Sequence, residues 1–393
     1  MSSAVQSSRA PAIIDLFAGV GGLSLGACRA GFALRLAVER DPHASAAHKK
    51  NFPNATHSDS DIATLSGSEM LKLAGLQPGE LAGLIGGPPC QGFSFMGHKN
   101  VEDPRNRLFH KFFDLVRETK PRFFLAENVP GIRHDRYTPL RDAALALVRD
   151  EYCVLDPFDV VASDYGAATI RPRVIFFGYR KSEWPEGFSR ADFNAPEKTE
   201  KMTVGEALKG LPPTIKKTWL TDEDGWRVVR SWPKGEFGDK IKGCRPETIG
   251  DDESVKKLAE EQRVSGCVAT IHSPKVIKRY LAMRAGDVDK ISRATKLDPD
   301  GYCPTLRAGT DSDHGSYQAL RPVHPTEPRA ITTREAARLQ GFPDWFRFGP
   351  TKWHSFRQIG NSVSPILAEA LLARVYSKIV ASPARKETSG RAA

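Results

Sequence analysis

Short apolar runs alternate with helical patterns through the first 180 residues of the chain. Each run is bounded by Gly, Pro, Asn or acidic residues, which is typical of buried strands. The segment 108–119 between two of these runs has Phe, Leu and Val at helical spacing, so we expect a helix with an aromatic core face. This alternation predicts an α/β fold with a Rossmann-like sheet. The runs lie at residues 12–16, 34–38, 81–85, 122–126 and 174–178.

The pattern changes near residue 181 and again near residue 330. The segment 186–325 is rich in Pro, Gly, Trp and Lys and predicts a second, smaller domain. Thr332 and Glu335 fit a capping box that opens a helix, residues 358–365 predict a turn, and 366–380 predict a helix. That last helix has an i, i+4 apolar stripe that we expect to pack on the first domain. The predicted units are a disordered start 1–11, a catalytic domain 12–185, the second domain 186–325, a returning segment 326–380 and a disordered tail 381–393.

Composition narrows the class of protein. The chain has 393 residues, 40% of them hydrophobic and 26% charged, which is ordinary for a globular protein. No signal peptide pattern is present, and no run approaches the roughly 18 apolar residues of a membrane span, so we expect a cytoplasmic protein. Six cysteines are scattered without metal-ligand spacing, which favours reduced thiols and predicts no metal site.

The formal net charge is +10, of which residues 1–180 carry +2 and residues 181–393 carry +8. A basic second half suits a polyanionic partner, although solubility alone explains it equally well.

One cysteine follows directly after a predicted strand. Cys90 stands in Gly86-Gly-Pro-Pro-Cys-Gln-Gly-Phe-Ser94, at the carboxyl end of the run 81–85, where open α/β sheets place their chemistry. A free cysteine is most often a small buried apolar residue. Here the two prolines stiffen the backbone and Gly92 permits close approach of another molecule, so we interpret Cys90 as a candidate nucleophile.

Glycines and acids follow the first three runs. Gly19, Gly21 and Gly22 form a strand-to-helix turn that can cradle a ligand against backbone N–H groups, although helix packing alone explains many such turns. Glu39 ends the second run about 20 residues later, where an acid can bind ribose hydroxyls. Asp61 fits an adenine contact, or a helix cap or solvated loop.

Three more charged residues lie near predicted strand ends. Glu127 follows the run 122–126 and comes close to Cys90 if the two strands are neighbours. Arg171 and Arg173 stand at i and i+2 in an extended segment, so we expect them to point the same way. Surface arginines are usually solvated, but a pair beside a thiol and an acid favours contacts to phosphate or carbonyl groups.

Taken in order, these segments resemble the DNA cytosine-5 methyltransferase family of bacterial type. The similar motifs are a cofactor loop at 15–22, Pro88-Pro-Cys90-Gln, Glu127-Asn-Val129, the arginine pair, the segment 334–343, and Gln358-Ile-Gly-Asn361-Ser-Val363. The resemblance covers about residues 12–180 and 302–380. One departure is that Ala168-Thr169 stands where the family usually has Pro-Gln.

The resemblance implies S-adenosylmethionine as cofactor and double-stranded DNA as substrate, with 186–325 as the target-recognition domain. We expect a monomer. Cys90 would add to carbon 6 of a flipped cytosine, and Glu127 would protonate or hydrogen-bond ring nitrogen 3. Positive charge on Arg171 or Arg173 would lower the pKa of the Cys90 thiol. Gln91 and Ser94 would face the DNA. The residues implied for the cofactor pocket are Phe17, Gly19, Gly22, Leu23, Glu39, Asp61, Ile62, Leu108, Asn361 and Val363.

Three alternatives compete with this interpretation. A tRNA cytosine-5 methyltransferase shares the fold, but a middle region of about 140 residues suits reading a duplex sequence better. A dinucleotide oxidoreductase would use the glycine turn and Glu39 but leaves Cys90, Glu127 and Arg171 unexplained. A non-catalytic DNA-binding relative is disfavoured because every expected catalytic residue is present.

Overall fold

The computed structural model describes residues 10–89, 106–184, 186–216, 224–243, 245–268, 270–308 and 321–381. Its strands are β1 (Ala12–Leu16), β2 (Ala33–Val38), β3 (Thr56–Ser58), β4 (Leu81–Gly86), β5 (Phe123–Asn128), β6 (Tyr152–Val154), β7 (Phe158–Val161), β8 (Thr169–Ile170), β9 (Pro172–Arg180), β10 (Arg227–Val228), β11 (Arg263–Val264) and β12 (Cys303–Pro304).

The α-helices within the same ranges are α1 (Gly22–Ala30), α2 (Pro42–Asn51), α3 (Gly67–Ala74), α4 (Asn106–Thr119), α5 (Thr138–Ala146), α6 (Val204–Ala207), α7 (Gly235–Lys242), α8 (Asp252–Glu261), α9 (Pro274–Ala282), α10 (Thr333–Gln340), α11 (Lys352–Asn361) and α12 (Pro365–Ala381).

The central sheet has the order β3-β2-β1-β4-β5-β9-β6, and β7 also pairs with β9. Strands β1 to β5 run parallel, whereas β9 runs antiparallel to β5, β6 and β7. The start of β9 therefore lies at the same edge of the sheet as the carboxyl ends of the parallel strands. This architecture confirms the predicted α/β class and brings the chemistry-bearing loops to one edge.

One predicted strand ended too early. The run 122–126 stops before Glu127, but β5 continues through Asn128 because Glu127 pairs with Ile175 and Asn128 with Val174 of β9. The predicted catalytic acid is thus held by sheet hydrogen bonds, not by a loop.

The C-terminal helix returns to the first domain as predicted. α12 packs along α1, and a Cβ added to Gly26 of α1 would lie 2.4 Å from Cβ of Ala368 and 2.5 Å from the backbone nitrogen of Glu369. Glycine at this position lets the two helices approach closely. The predicted disordered ends lie outside the described residues, except that Ala381 is the last residue of α12 and the Pro11 carbonyl accepts a hydrogen bond from Ala33.

The capping box at Thr332 and Glu335 is confirmed, but the turn predicted at 358–365 is wrong in its first half. Helix α11 continues to Asn361, and only residues 362–364 link it to α12. Gly360 is helical, and a Cβ there would lie 2.6 Å from the backbone nitrogen of Ala308. This glycine serves close packing of two backbones, a role that its sequence context does not distinguish from a turn.

The middle region packs against the sheet domain. Its short strand β12 pairs in parallel with β8, and its buried side chains join the same apolar cluster as α1 and α12. Members of that cluster from the middle region include Phe193, Val204, Phe237, Val264 and Leu297. Of the helices in the described ranges, none combines the length and apolar character needed to cross a membrane.

Candidate active site

The loop after β1 is held in place by an acid at the end of β2. Phe17 and Gly19 have positive φ angles of 58° and 56°, so the chain turns sharply before α1 begins. Glu39 Oε2 accepts a hydrogen bond from the Gly19 backbone nitrogen at 2.8 Å, and its Oε1 accepts from Asp41 at 2.7 Å. Burial raises the pKa of Glu39. Glu39, which the sequence predicts to bind ribose hydroxyls, therefore fixes the conformation of the loop after β1.

Two features of this loop fit a cationic methyl donor. A Cβ added to Gly19 would meet no described residue within 4 Å, so within the described part of the chain the backbone there borders open space. Asp15 at the end of β1 is fully buried, and its Oδ1 has no hydrogen-bond partner among the described residues. Burial raises the pKa of this carboxyl group to about 7. An unpaired buried acceptor beside an open backbone cradle suits a ligand with ammonium and sulfonium groups.

Gly22 and Leu23, both predicted for the cofactor pocket, lie inside the protein. A Cβ on Gly22 would stand 2.1 Å from Ser362 Oγ and 2.2 Å from the Val363 carbonyl oxygen, and Leu23 belongs to the main apolar cluster. Gly22 thus allows α1 to contact the link between α11 and α12. Val363 is buried at this contact, and the neighbouring Asn361 is exposed.

Asp61, Ile62 and Leu108 occupy three different environments. Asp61 is exposed, and its carboxylate accepts hydrogen bonds from the Ala63 nitrogen at 3.0 Å and from Arg40 Nη1 at 3.3 Å. The Ala63 contact holds a turn, since the next helix, α3, begins at Gly67 with Ser66 as its N-cap. The helix-cap alternative for Asp61 is therefore wrong, and its exposure fits the solvated-loop alternative. Ile62 is buried, and Leu108 is partly buried in the first turn of α4. The adenine contacts expected of Asp61 and Ile62, and the place of Leu108 in the cofactor pocket, stay predictions.

Neighbouring strands bring the predicted acid beside the backbone that leads to Cys90. β4 and β5 are parallel partners, with Gly86 opposite Ala126, so Glu127 stands next to Gly87. A Cβ added to Gly87 would lie 3.4 Å from Glu127 Oε2. Cys90, Gln91 and Ser94 themselves lie outside the described residues, as the list of ranges above indicates.

The side chain after Glu127 reaches the same backbone. Asn128 Nδ2 donates a hydrogen bond to the Pro88 carbonyl oxygen at 3.3 Å, and its Oδ1 accepts one from the Val129 nitrogen at 2.9 Å. Sequence reasoning quoted Asn128 only as part of a motif. Its position at a strand end, one residue beyond the acid, was the signal that could have suggested this anchoring role.

The two predicted arginines contact different parts of the site. Arg173 forms an ion pair with Glu127 through its Nε, with only 9% and 11% of the two side chains exposed. Arg171 is buried and donates to the carbonyl oxygens of Leu306 at 3.1 Å and Gly360 at 2.7 Å. Strand alternation predicted a shared direction, but Arg171 lies before β9, outside its regular extended backbone.

The departure from the family motif has a local explanation. Thr169 is fully buried in β8, and its hydroxyl donates to the Cys303 carbonyl oxygen at 3.1 Å. The hydroxyl thus stabilises the pairing of β8 with β12, which leads toward the Leu306 carbonyl that Arg171 contacts. Threonine therefore preserves the position of the arginine segment by a hydrogen bond to the middle region.

Comparison with known proteins agrees with this geometry. The family described as C-5 cytosine-specific DNA methylase matches residues 12–377. The type II methyltransferase M.XorII of Xanthomonas oryzae pv. oryzae is 38% identical over 377 residues, covering 95% of this chain and 86% of that protein. A crystal structure of a candidate DNA modification methyltransferase encoded within a prophage (E. coli) is 49% identical, with a TM-score of 0.84, covering 93% of this chain and 98% of that one.

A more distant structure supports the fold alone. The S. pombe Dnmt2 methyltransferase superimposes with a TM-score of 0.58 at 15% identity, covering 94% of this chain and 98% of that one. The family match spans both the sheet domain and the returning C-terminal segment. The chain therefore belongs to the C-5 cytosine-specific DNA methylase family and is a DNA cytosine-5-methyltransferase.

Proposed function

We propose that this enzyme transfers a methyl group from S-adenosylmethionine to carbon 5 of a flipped cytosine in a specific duplex sequence, through a covalent Cys90 adduct. The observation that carries the proposal is the register of β4 and β5. Glu127 stands beside Gly87, three residues before Cys90, and Arg173 is paired with it. An acid and a guanidinium thus lie where the two strands end, beside the backbone that leads to Cys90.

The chemistry needs each of these groups. Carbon 5 of cytosine is a poor nucleophile, so the Cys90 thiolate adds to carbon 6 and makes carbon 5 electron-rich. Glu127 donates a proton or hydrogen bond to ring nitrogen 3, which makes carbon 6 electrophilic. Arg173 orients the Glu127 carboxyl group through its ion pair, and Arg171 holds the segment before β9 through two carbonyl contacts. Once carbon 5 has taken up the methyl group, loss of its proton to solvent, expulsion of the Cys90 thiolate and return of the ring nitrogen 3 proton to Glu127 restore the aromatic ring.

The cofactor, when bound, supplies an electrophilic methyl group. Phe17 and Gly19 would line its pocket, Glu39 would bind the ribose hydroxyls, and Asp61 and Ile62 would meet the adenine. Leu108, Asn361 and Val363 would complete the pocket, while Gly22 and Leu23 support it by packing α1. The unpaired Oδ1 of Asp15 and the open space at Gly19 favour this location.

The target base has to leave the helical stack before a thiol can reach carbon 6, at a cost of a few kcal/mol. We assign DNA binding to Gln91, Ser94 and the target-recognition domain 186–325. In that domain, α9 exposes Ile277 and Leu281 beside Lys275 and Lys278, so apolar and basic side chains share one surface. Lysines there would neutralise phosphates, and Lys275→Glu with Lys278→Glu should lower the salt dependence of DNA binding.

The first test is transfer of labelled methyl from S-adenosylmethionine to duplex DNA. Cys90→Ala should abolish transfer, whereas Cys153→Ala, at a partly buried free cysteine of β6, should leave it unchanged. Full activity of Cys90→Ala would overturn the thiol mechanism. Transfer to tRNA but not to duplex DNA would favour the alternative substrate of the same fold.

A second test traps the intermediate and identifies the site. DNA that contains 5-fluorocytosine should form a covalent adduct, because fluorine at carbon 5 blocks release of Cys90. Methylation of ordinary DNA without any such adduct would contradict the addition step. M.XorII is by name a type II methyltransferase, and we extend to this chain the expectation of one fixed target sequence. Bisulfite sequencing of DNA from cells that express the protein would reveal that sequence.

A further inference from the structure

A chain of hydrogen-bonded side chains runs from Asp15 to the edge of the sheet. Ser24 Oγ lies 2.5 Å from Asp15 Oδ2 and 3.1 Å from His48 Nε2, and His48 Nδ1 lies 2.8 Å from His57 Nε2. Asp15, Ser24 and His48 are fully buried, whereas His57 is partly exposed on the edge strand β3. The chain therefore connects a buried carboxyl group beside the donor loop with the protein surface.

Once the protonation state of Asp15 Oδ2 is given, counting protons fixes the direction of every hydrogen bond in this series. Ser24 has one hydroxyl proton and two partners, so it donates to one partner and accepts from the other. If Asp15 is ionised, Ser24 donates to it and accepts from His48 Nε2–H, and His48 Nδ1 must then accept from His57. If Asp15 is protonated on Oδ2, the oxygen that faces Ser24, every bond reverses and both histidines change tautomer. The two arrangements differ by one proton in total.

Burial keeps the middle of the chain neutral. Burial lowers the pKa of His48 well below its ordinary value, and the neighbouring His57 lowers it further. His48 can therefore change tautomer without taking up a charge of its own. Charged neighbours act on both ends of the series: Glu39 raises the pKa of Asp15, and Lys49 lowers the pKa of His57. Asp15 in turn raises the pKa of the Cys28 thiol.

We propose that Ser24, His48 and His57 are positioning residues of the donor site, which act through Asp15 by coupling its charge to proton exchange at the surface. The proposal rests on the donor site assigned above to the loop after β1. In the ionised arrangement every proton of the chain points toward Asp15, which stabilises a carboxylate whose Oδ1 stays unpaired for the cationic donor. Protonation removes that charge and turns the Ser24 hydroxyl toward His48.

The coupling has a definite sign. The donor binds best to the ionised form of Asp15, so its affinity should fall as the pH drops through the Asp15 pKa of about 7. Linkage to a single proton predicts about tenfold weaker binding at pH 6 than at pH 8. Ser24→Ala removes a hydrogen bond that lowers the Asp15 pKa, so the midpoint of this pH dependence should rise by about one unit.

Calorimetric titration of S-adenosylmethionine between pH 6 and pH 9 tests this sign. The matched control is Ser45→Ala, at a buried serine of α2 that takes no part in the hydrogen-bonded series from Asp15 to His57. This variant should keep the wild-type midpoint. His48→Gln retains a nitrogen donor toward Ser24 and should keep most of the affinity at pH 8, whereas His48→Leu should lose about tenfold. A Ser24→Ala midpoint equal to wild type, or equal losses in the two His48 variants, would overturn the proposal.

A second measurement needs no donor. Nitrogen-15 NMR of the histidine rings distinguishes the tautomers. His48 and His57 should change tautomer together near pH 7 in the wild type, whereas in Ser24→Ala, which keeps the direct bond between the two rings but loses their link to Asp15, neither ring should change tautomer near that pH. Uncoupled tautomers in the wild type would refute the chain even if the donor binds. Coupled tautomers in a protein that binds no donor would instead refute the location of the donor site, while the hydrogen-bonded connection from Asp15 to His57 would stand.

Discussion

A fully buried ion pair joins Arg338 of the family motif at 334–343 to Asp344 directly after it, and its loss should be strongly destabilising. Arg338 Nη2 lies 2.7 Å from Asp344 Oδ2 and Arg338 Nε lies 2.9 Å from Asp344 Oδ1, and neither side chain is exposed. Arg338 also donates to the Lys209 carbonyl oxygen at 2.7 Å, and Trp232 donates to Asp344 at 2.9 Å. The pair thus joins the returning C-terminal segment to the middle region.

Asp344→Asn leaves the Arg338 guanidinium buried without its counter-ion. Removal of one partner of a buried pair costs about 3 to 5 kcal/mol, because the remaining charge stays desolvated. The matched control is Asp114→Asn, which breaks a pair with the mostly exposed Arg117 at 3.1 Å and should cost at most about 1 kcal/mol. Urea unfolding followed by tryptophan fluorescence should give a lower midpoint with an unchanged slope for Asp344→Asn.

The double variant Arg338→Met/Asp344→Leu separates loss of the pair from exposure of a lone charge. Replacing both partners with apolar side chains removes the unpaired charge, so much of the stability lost in Asp344→Asn should return. If Asp344→Asn stays within about 1 kcal/mol of the wild type, or if the double variant is as unstable as the single one, the reasoning from buried charge is refuted.

Three further changes test other contacts. Gly22→Ala should lower the melting temperature and weaken donor binding because its Cβ would meet the Val363 backbone at 2.2 Å, whereas Gly243→Ala, with nothing within 4 Å, should not. Asn128→Ala should lower kcat while sparing donor affinity, since it releases the backbone before the nucleophile; equal donor losses would contradict this. The stability of Asp15→Asn relative to the wild type should increase as the pH rises from about 4 to about 7, because burial makes ionisation of Asp15 destabilising in the folded state. Melting temperatures of both proteins at pH 5 and pH 8 check this prediction.

The sheet was predictable where its strands are buried on both faces. The runs at 12–16 and 81–85 correspond to β1 and β4, since buried parallel strands consist of nearly continuous apolar residues. The direction of β9 was not predictable, because a buried strand has the same composition whether it runs parallel or antiparallel. The pairing of Phe123 with Tyr179 and of Asn128 with Val174 reveals it, and this direction decides at which edge of the sheet Arg173 lies.

The candidate site was predictable in its residue types but not in their partners. The rule that strand ends share one edge brought Glu127 toward the Cys90 loop, and the register of β4 and β5 agrees. The same motif reasoning could not separate catalytic from structural arginines. Arg334 is buried and donates to the carbonyl oxygens of Ser265, Pro343 and Phe346, so it stabilises the fold.

The glycine motif combines two physical roles that a sequence pattern presents as one. Gly19 borders open space and is tied to Glu39, whereas Gly22 is packed against Ser362 and the Val363 carbonyl oxygen. The loop between them is therefore held from one side by the end of β2 and from the other by the link between α11 and α12. Since α12 also lies along α1, the shape of the donor loop depends on how the last helix packs, although that helix is more than 340 residues away in the chain.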